Sequence, residues 1–197
     1  MQRVQGVAHP DALIAAVNLG QTLSEQGKFR EAEPLLRELL ATHKRVLGDD
    51  HPSTIGAAHN LGLVLTNLRK FAEAGPLQRG VLSAQKRLRG SEHPSTVLAV
   101  SNLAQTLAGQ GRHAVAEPLQ RKVLESSKRV YGAEHPHTLI AANNLALSLA
   151  AQRKFAEAEP LERETLAARK RVLGVNHPDT LDSASALALV LKHASLR

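Results

Sequence analysis

The chain of 197 residues contains no cysteine and no tryptophan, and it carries a formal charge of +7 with a pI near 10.1. A disulfide framework, a thiolate metal site and a cysteine nucleophile are thereby excluded. Aromatics are confined to Phe29, Phe71, Tyr131 and Phe155 while Ala and Leu dominate, which favours closely packed helices over strands.

No basic-plus-apolar leader opens the chain, and no apolar run approaches the roughly 18 residues that cross a bilayer, so the expected location is cytoplasmic, with no membrane partner. The positive charge would attract an acidic peptide, a nucleic acid or an anionic surface, and does not choose among them.

Five His-Pro pairs set the register: His9-Pro10, His51-Pro52, His93-Pro94, His135-Pro136 and His177-Pro178, each 42 residues from the next. A period without drift marks a repeat array, whose units bury their apolar faces only by stacking on neighbours. Residues 1–8 match the stretch before the second His-Pro pair, so they read as the end of a preceding helix. Full repeats follow at 9–50, 51–92, 93–134 and 135–176, and a terminal helix occupies 177–197.

Within a repeat, Pro10 suits the first turn of a helix A, where its missing N–H would have had no partner. Leu13, Ala16, Leu19, Gly20 and Leu23 then fall on one helical stripe. Leu61, Leu103, Leu145 and Leu187 repeat Leu19. Gly62, Ala104, Ala146 and Ala188 repeat the small residue at Gly20, which admits a neighbouring helix closely. Gly27 and Gly111 suit a left-handed helix end. Arg69 and Arg153 take the same place in other repeats, at a strain of about 1 kcal/mol.

A helix B is expected from Lys28 to Leu47, with Phe29, Ala32, Leu35, Leu39, Leu40 and Val46 on its apolar face, ending at Gly48, Gly90, Gly132 or Gly174. Pro34, Pro76, Pro118 and Pro160 recur inside it, where a bend is expected.

The run Asn-Leu-Ala-x-x-Leu, then Gln-x-Lys-Phe-x-Glu-Ala-Glu-Pro-Leu-x-Arg, then Lys-Arg-Val-Leu-Gly-x-x-His-Pro, legible at 144–178, resembles tetratricopeptide repeats. The 42-residue length is similar to the subclass found in kinesin light chains and many bacterial regulators. Departures are local: His113 and Val115 replace the usual Phe and Glu, Gly75 replaces a Glu, and Ala186 replaces an Asn. The resemblance implies an all-α fold, a right-handed superhelical solenoid of antiparallel helix pairs whose A helices line a concave groove.

In such a groove the face of helix A would include Val17, Asn18, Gln21, Ser24 and Glu25. The Asn18 column continues as Asn60, Asn102 and Asn144, and a primary amide can bond both the C=O and the N–H of an extended peptide. In peptide-clamping tetratricopeptide domains and in kinesin light chains an Asn at this place contacts the ligand backbone. The resemblance therefore implies peptide-binding roles for Asn18, Asn60, Asn102 and Asn144, with Gln21, Gln105 and Asn143 beside them. Equally, each Asn could bond the backbone of the neighbouring repeat and fix the stacking angle. Ile14, Leu98 and Ile140 are candidate apolar anchors along the groove edge.

Lys44-Arg45 and their repeats at 86-87, 128-129 and 170-171 fall in the last turns of helix B, where cations complement the helix dipole. Arg37, Arg79, Arg121 and Arg163 form another column, spaced to pair with Glu33, Glu117 and Glu159 at i, i+4. The repeated histidines would stand about 10 Å apart, one helix-packing distance. Ligands of one zinc lie about 2 Å from the ion, so no metal site is expected. Phosphate loops and nucleophile elbows are absent from the sequence, and repetition distributes residues instead of converging them, so neither catalysis nor a cofactor is expected.

The sequence therefore reads as a non-catalytic protein–protein interaction module that binds a short extended peptide, acidic or neutral. The alternative is a self-associating scaffold or an oligomerisation segment of a larger signalling or regulatory protein: Leu181, Leu187, Val190 and Leu191 lack a following helix B and Leu189 widens the stripe, so a homo-oligomer through the last helix or a continuation of the array is expected. Nucleic acid fits poorly, because the few aromatics are patterned for the core and offer no stacking platform.

Overall fold

The His-Pro pairs start helices through the histidine ring as much as through the proline. In the computed structural model His51 is extended (φ −69°, ψ 138°) and its Nδ1 accepts a hydrogen bond from the Ser53 N–H at 3.1 Å. His93, His135 and His177 do the same for the N–H groups of Ser95, His137 and Asp179, each at 3.2 Å. A ring nitrogen here satisfies one of the orphan donors of a helix N-terminus, a task usually given to Ser, Asp or Asn.

The structure describes residues 10–194, with side chains from residue 15. The expected helix end at 1–8 and the side chain of Ile14 lie outside the described residues. Among those residues there are nine helices: α1 (Pro10–Glu25), α2 (Phe29–Leu47), α3 (Pro52–Asn67), α4 (Phe71–Arg89), α5 (Pro94–Gly109), α6 (His113–Tyr131), α7 (Pro136–Ala151), α8 (Phe155–Val172) and α9 (Pro178–Ala194). Odd-numbered helices are helix A and even-numbered ones helix B. Helix B begins at Phe29, one residue after the expected start, and runs on through Pro34, as its repeats do through Pro76, Pro118 and Pro160.

The chain divides into two units, Met1–Gly109 and Gln110–Arg197. In the first, each of α1 to α4 packs on the next, and the A helices also touch, α1 on α3 and α3 on α5. In the second, α6 to α9 pack in the same serial way and α7 touches α9.

The A-to-B turn repeats one hydrogen-bond pattern whether or not glycine is present. Lys28 N–H bonds Leu23 C=O at 2.8 Å and Gly27 N–H bonds Ser24 C=O at 3.0 Å, the paired closure of a left-handed helix end. Lys70 and Arg69, and Lys154 and Arg153, reproduce it. Arg69 and Arg153 accordingly sit at φ 60° and 62°, as the register expected.

The core of the first unit gathers Leu36, Leu39, Leu61, Val64 and Leu65, all nearly inaccessible. Its closeness depends on the small-residue column: a Cβ on Gly20 would meet Leu36 Cδ2 at 2.9 Å, and one on Gly62 would meet Gln78 Cγ at 3.0 Å. In the second unit α9 packs on α8 and α7. Leu187 and Val190 are buried and Leu191 is half-buried, whereas Leu181 and Leu189 stay exposed. The terminal stripe is thus only partly bare, because α8 and α7 already cover one side of α9, and the His193 ring stacks on Phe155 at 5.9 Å.

Candidate peptide-binding face

The period that buries one side of each A helix leaves its opposite side outward. In α3, Ile55, Leu61, Gly62 and Leu65 are buried, while Gly56, His59, Asn60, Leu63 and Asn67 keep some or full exposure. Every residue of the expected site with a described side chain can be placed on that scheme.

In the first unit Asn18 and Gln21 are exposed on α1, with Gln21 Nε2 donating to Glu25 Oε1 at 3.0 Å. Asn60 is half-buried on α3. Asn102 on α5 is buried at 8% exposure, and Gln105 one turn on is exposed. The three Asn residues therefore stand in the same column of three successive, touching helices. In the second unit Asn143 and Asn144 are half-buried on α7, and the column ends at Ala186 on α9. Asn143 Oδ1 accepts a long hydrogen bond of 3.5 Å from Ser183 Oγ. Exposed apolar residues accompany them: Leu98 on α5, Ile140 and Leu147 on α7, and Leu189 on α9.

The stacking role considered for the Asn column is not realised. Among the described residues no hydrogen bond reaches the side chains of Asn18, Asn60, Asn102 or Asn144, and Asn102 Nδ2 is covered without a partner. Repeat stacking is fixed instead by apolar packing and by charged side chains on the B helices. The arginine column pairs as its spacing implied, Arg37 with Glu33 at 2.8 Å, Arg121 with Glu117 at 2.9 Å and Arg163 with Glu159 at 2.9 Å.

Two of these pairs also reach the next repeat. Lys70 bonds Glu33 at 2.7 Å and Arg37 bonds Glu73 at 2.6 Å; in the second unit Lys154 bonds Glu117 at 2.7 Å and Arg121 bonds Glu157 at 2.6 Å. Hydrogen bonding from Lys154, with Arg121 and Gln152 adding to it, lowers the Glu117 carboxyl to about 2. The last-turn cations are also engaged: Lys44 with Asp49 at 3.1 Å, Arg87 with Asp50, and Arg171 with Glu134.

No Asp, Glu, Lys or Arg occurs in α3, α5 or α7. His59 in α3 has its pKa lowered by burial, which favours the neutral ring. The outward face of these three helices is therefore polar but uncharged, and the net positive charge lies elsewhere.

Three features of the structure escaped the sequence reading. The first is the capping role of the His-Pro histidines, which their spacing does not signal. A buried network was not anticipated, in which Gln78 Nε2 donates to Gly62 C=O (3.2 Å) and Thr66 Oγ1 (3.1 Å) while its Oε1 accepts from Thr106 Oγ1 (2.9 Å). Nor was Glu162, fully buried on α8 with neither oxygen hydrogen-bonded. The signal for the last two was polar residues at 78 and 162 in a column that begins with Leu36.

One tetratricopeptide repeat family model matches residues 53–125 and 97–171, and a second matches residues 13–53. The chain belongs to the tetratricopeptide repeat family. Its fold is similar to the crystal structure of the Podosopora anserina putative kinesin light chain nearly identical TPR-like repeats, with a TM-score of 0.78 and 27% identity over 96% of this chain and 90% of that one. A point variant of that protein gives 0.79 at 27% identity, covering 96% and 89%. BtubC (BKLC) from P. vanneervenii shares the fold at 0.74 and 20% identity, covering 94% and 74%. No curated protein matches. Tetratricopeptide repeats of this kinesin-light-chain-like form are protein–protein interaction modules.

Proposed function

We propose that the chain is a non-catalytic adaptor that binds a short, extended, neutral peptide across the outward face of its A helices. The observation that carries this reading is a column of amides that the fold leaves unbonded, set on helices without charged side chains. An amide that holds a repeat interface together would be bonded within the protein. One that is unpaired retains its donors and acceptor for a peptide main chain. Asn60 and Asn144, half-exposed, are directly in reach, whereas Asn102 Nδ2 is covered. Leu98, Ile140 and Leu147 supply apolar contacts beside them. Of the acidic and neutral ligands the sequence left open, the uncharged face favours the neutral one.

The test is an array of neutral and acidic extended peptides, followed by titration of the strongest binder into the wild type, Asn60→Ala and Asn144→Ala. Each substitution should weaken binding about five-fold, the equivalent of one neutral hydrogen bond of about 1 kcal/mol. Affinity should change little between about 50 mM and about 500 mM salt, since screening acts on charges. Unchanged affinity in equally stable variants, or a steep loss with salt, would overturn the reading.

A further inference from the structure

One side of α9 repeats a surface that is covered elsewhere in the chain. On α7, Leu139, Ala142, Ala146 and Leu149 form one stripe and all are buried, Leu139 at 4% exposure. That stripe lies under α8. Leu139 and Ala142 share a small cleft with Leu161, Thr165 and Ala168, and the column of Ala146 is the one that meets the next B helix, as Gly20 meets Leu36 and Gly62 meets Gln78. Leu181, Ala184, Ala188 and Leu191 occupy the same columns of α9. There Leu181 is 53% exposed, Ala188 is exposed, and Ala184 and Leu191 are half-buried, since among the described residues no helix follows α9.

The charges beside this stripe are incomplete in the same sense. Glu33 and Arg37 on α2 each hold a group of the next B helix, Lys70 at 2.7 Å and Glu73 at 2.6 Å, and Glu117 and Arg121 on α6 hold Lys154 and Glu157 at the same distances. In both places the helix that supplies these groups opens Lys-Phe-Ala-Glu, and the alanine that follows, Ala74 or Ala158, is wholly inaccessible. On α8 the same columns hold Glu159 and Arg163, which among the described residues bind only each other, at 2.9 Å. An apolar stripe and an ion-pair ladder thus end together at α8 and α9, each lacking the part that a further B helix supplies at the earlier repeats.

We infer that this end of the molecule is a second docking surface, and that it takes an amphipathic helix of a protein partner whose first turn carries Lys-x-x-Glu-Ala ahead of an apolar stripe. The lysine of that helix meets Glu159, its glutamate meets Arg163, and its stripe closes over Leu181, Ala184, Ala188 and Leu191. Opposite charges in that order fix the direction and register of the incoming helix. A second copy of this chain cannot supply it. Its α2, α4 and α8 each pack between two A helices already, and its α6 opens at Arg112 with Val115 where the glutamate is needed. The surface is separate from the peptide-binding face, which on α7 presents Asn144 and Leu147.

The experiment uses the full chain and, as probe, a fluorescein-labelled peptide with the sequence of residues 154–173, the helix that covers α7, in which Glu162→Gln removes the unpaired carboxyl. Its anisotropy should rise saturably with added chain. Leu181→Glu should weaken binding by about ten-fold or more, for an apolar side chain no longer buried, with Tm nearly unchanged because the residue is exposed in the free chain. Arg163→Glu should weaken binding about five-fold, and a peptide that also carries Glu157→Lys should bind the Arg163→Glu chain better than the first peptide does. Light scattering should give a wild-type mass that does not change with concentration. No saturable binding, binding that survives Leu181→Glu, no recovery in the charge-swapped pair, or a dimer that Leu181→Glu dissolves would overturn the proposal.

Discussion

Glu162 offers the sharpest test of how the second unit is held together. Its carboxylate is fully buried on α8, neither oxygen has a hydrogen-bond partner, and Arg169, the cation that acts on it, directs Nη1 to Asp179 C=O and Ser183 Oγ at 2.7 Å each. Burial raises its pKa from 4.5 to about 7, with Arg169 opposing the shift. Below pH 4.5 the carboxyl is protonated in both folded and unfolded chains. Between 4.5 and about 7 the unfolded chain ionises while the folded one holds its proton, so stability falls as pH rises and then levels off. The shift corresponds to about 3 kcal/mol at about 1.36 kcal/mol per unit. Glu162→Gln should therefore change stability little at pH 5 and raise it by about 3 kcal/mol at pH 8. Urea unfolding at both pH values, followed by helical circular dichroism and by fluorescence of the single Tyr131, measures this. Because the comparison is between variants at one pH, the titration of other groups cancels. An effect of Glu162→Gln that is equal at pH 5 and pH 8 would refute the burial argument.

Two backbone positions carry further expectations. Arg69→Gly should raise stability by about 0.5–1 kcal/mol in urea titration, since it relieves about 1–2 kcal/mol of left-handed strain at φ 60° and forfeits a weaker contact of the guanidinium, 5.6 Å from the Phe71 ring centre. Gly109→Ala should lower stability by about 1 kcal/mol although alanine favours helix. Its Cβ would lie 2.4 Å from Phe71 Cε1, and overpacking of about 1–3 kcal/mol outweighs a propensity gain of about 1; a raised melting temperature would contradict this.

The turns and helix ends were legible in the sequence because their backbone conformations are tied to residue type. Gly48, Gly90, Gly132 and Gly174 all adopt positive φ, and each A helix after the first begins at the proline of its His-Pro pair. Arg69 and Arg153 were legible only through the 42-residue register, since neither side chain signals a left-handed turn. Column spacing also gave the Glu–Arg pairs along helix B, but not their extension to Lys70 and Lys154, which depends on how far one repeat is rotated against the next. The Asn column could be placed on its face, whereas its lack of bonds depends on the distance to neighbouring backbone, which spacing does not determine. A cleft of about 350 Å3 between α2, α3 and α4 was still less visible: Gly80 is a gap in a column of Glu38, Lys122 and Glu164, and it becomes a volume only once those helices surround it.

A repeat array supplies its own controls, and the column of Leu36, Gln78, Gln120 and Glu162 shows what a buried position requires; the buried Gln120 keeps an Oε1 without a partner. Leu36 lies against Gly20 and needs no partner. Gln78 is polar at the same place and is tolerated because Thr66 and Thr106 meet its amide, leaving no unbonded atom in the network. Two repeats after those threonines the chain has Ala150 and Val190, so the groups that would have bonded a polar side chain at 162 are apolar. The cost at Glu162 is that of a buried carboxyl to which the neighbouring columns, apolar there, offer no hydrogen bond. Polar residues in such a solenoid are satisfied when they change in matched sets across adjacent helices, as at Gln78, and an unmatched buried one is left strained, as at Glu162. Accessibility separates that case from the Asn column: Glu162 is sealed, whereas Asn60 and Asn144 remain half-exposed.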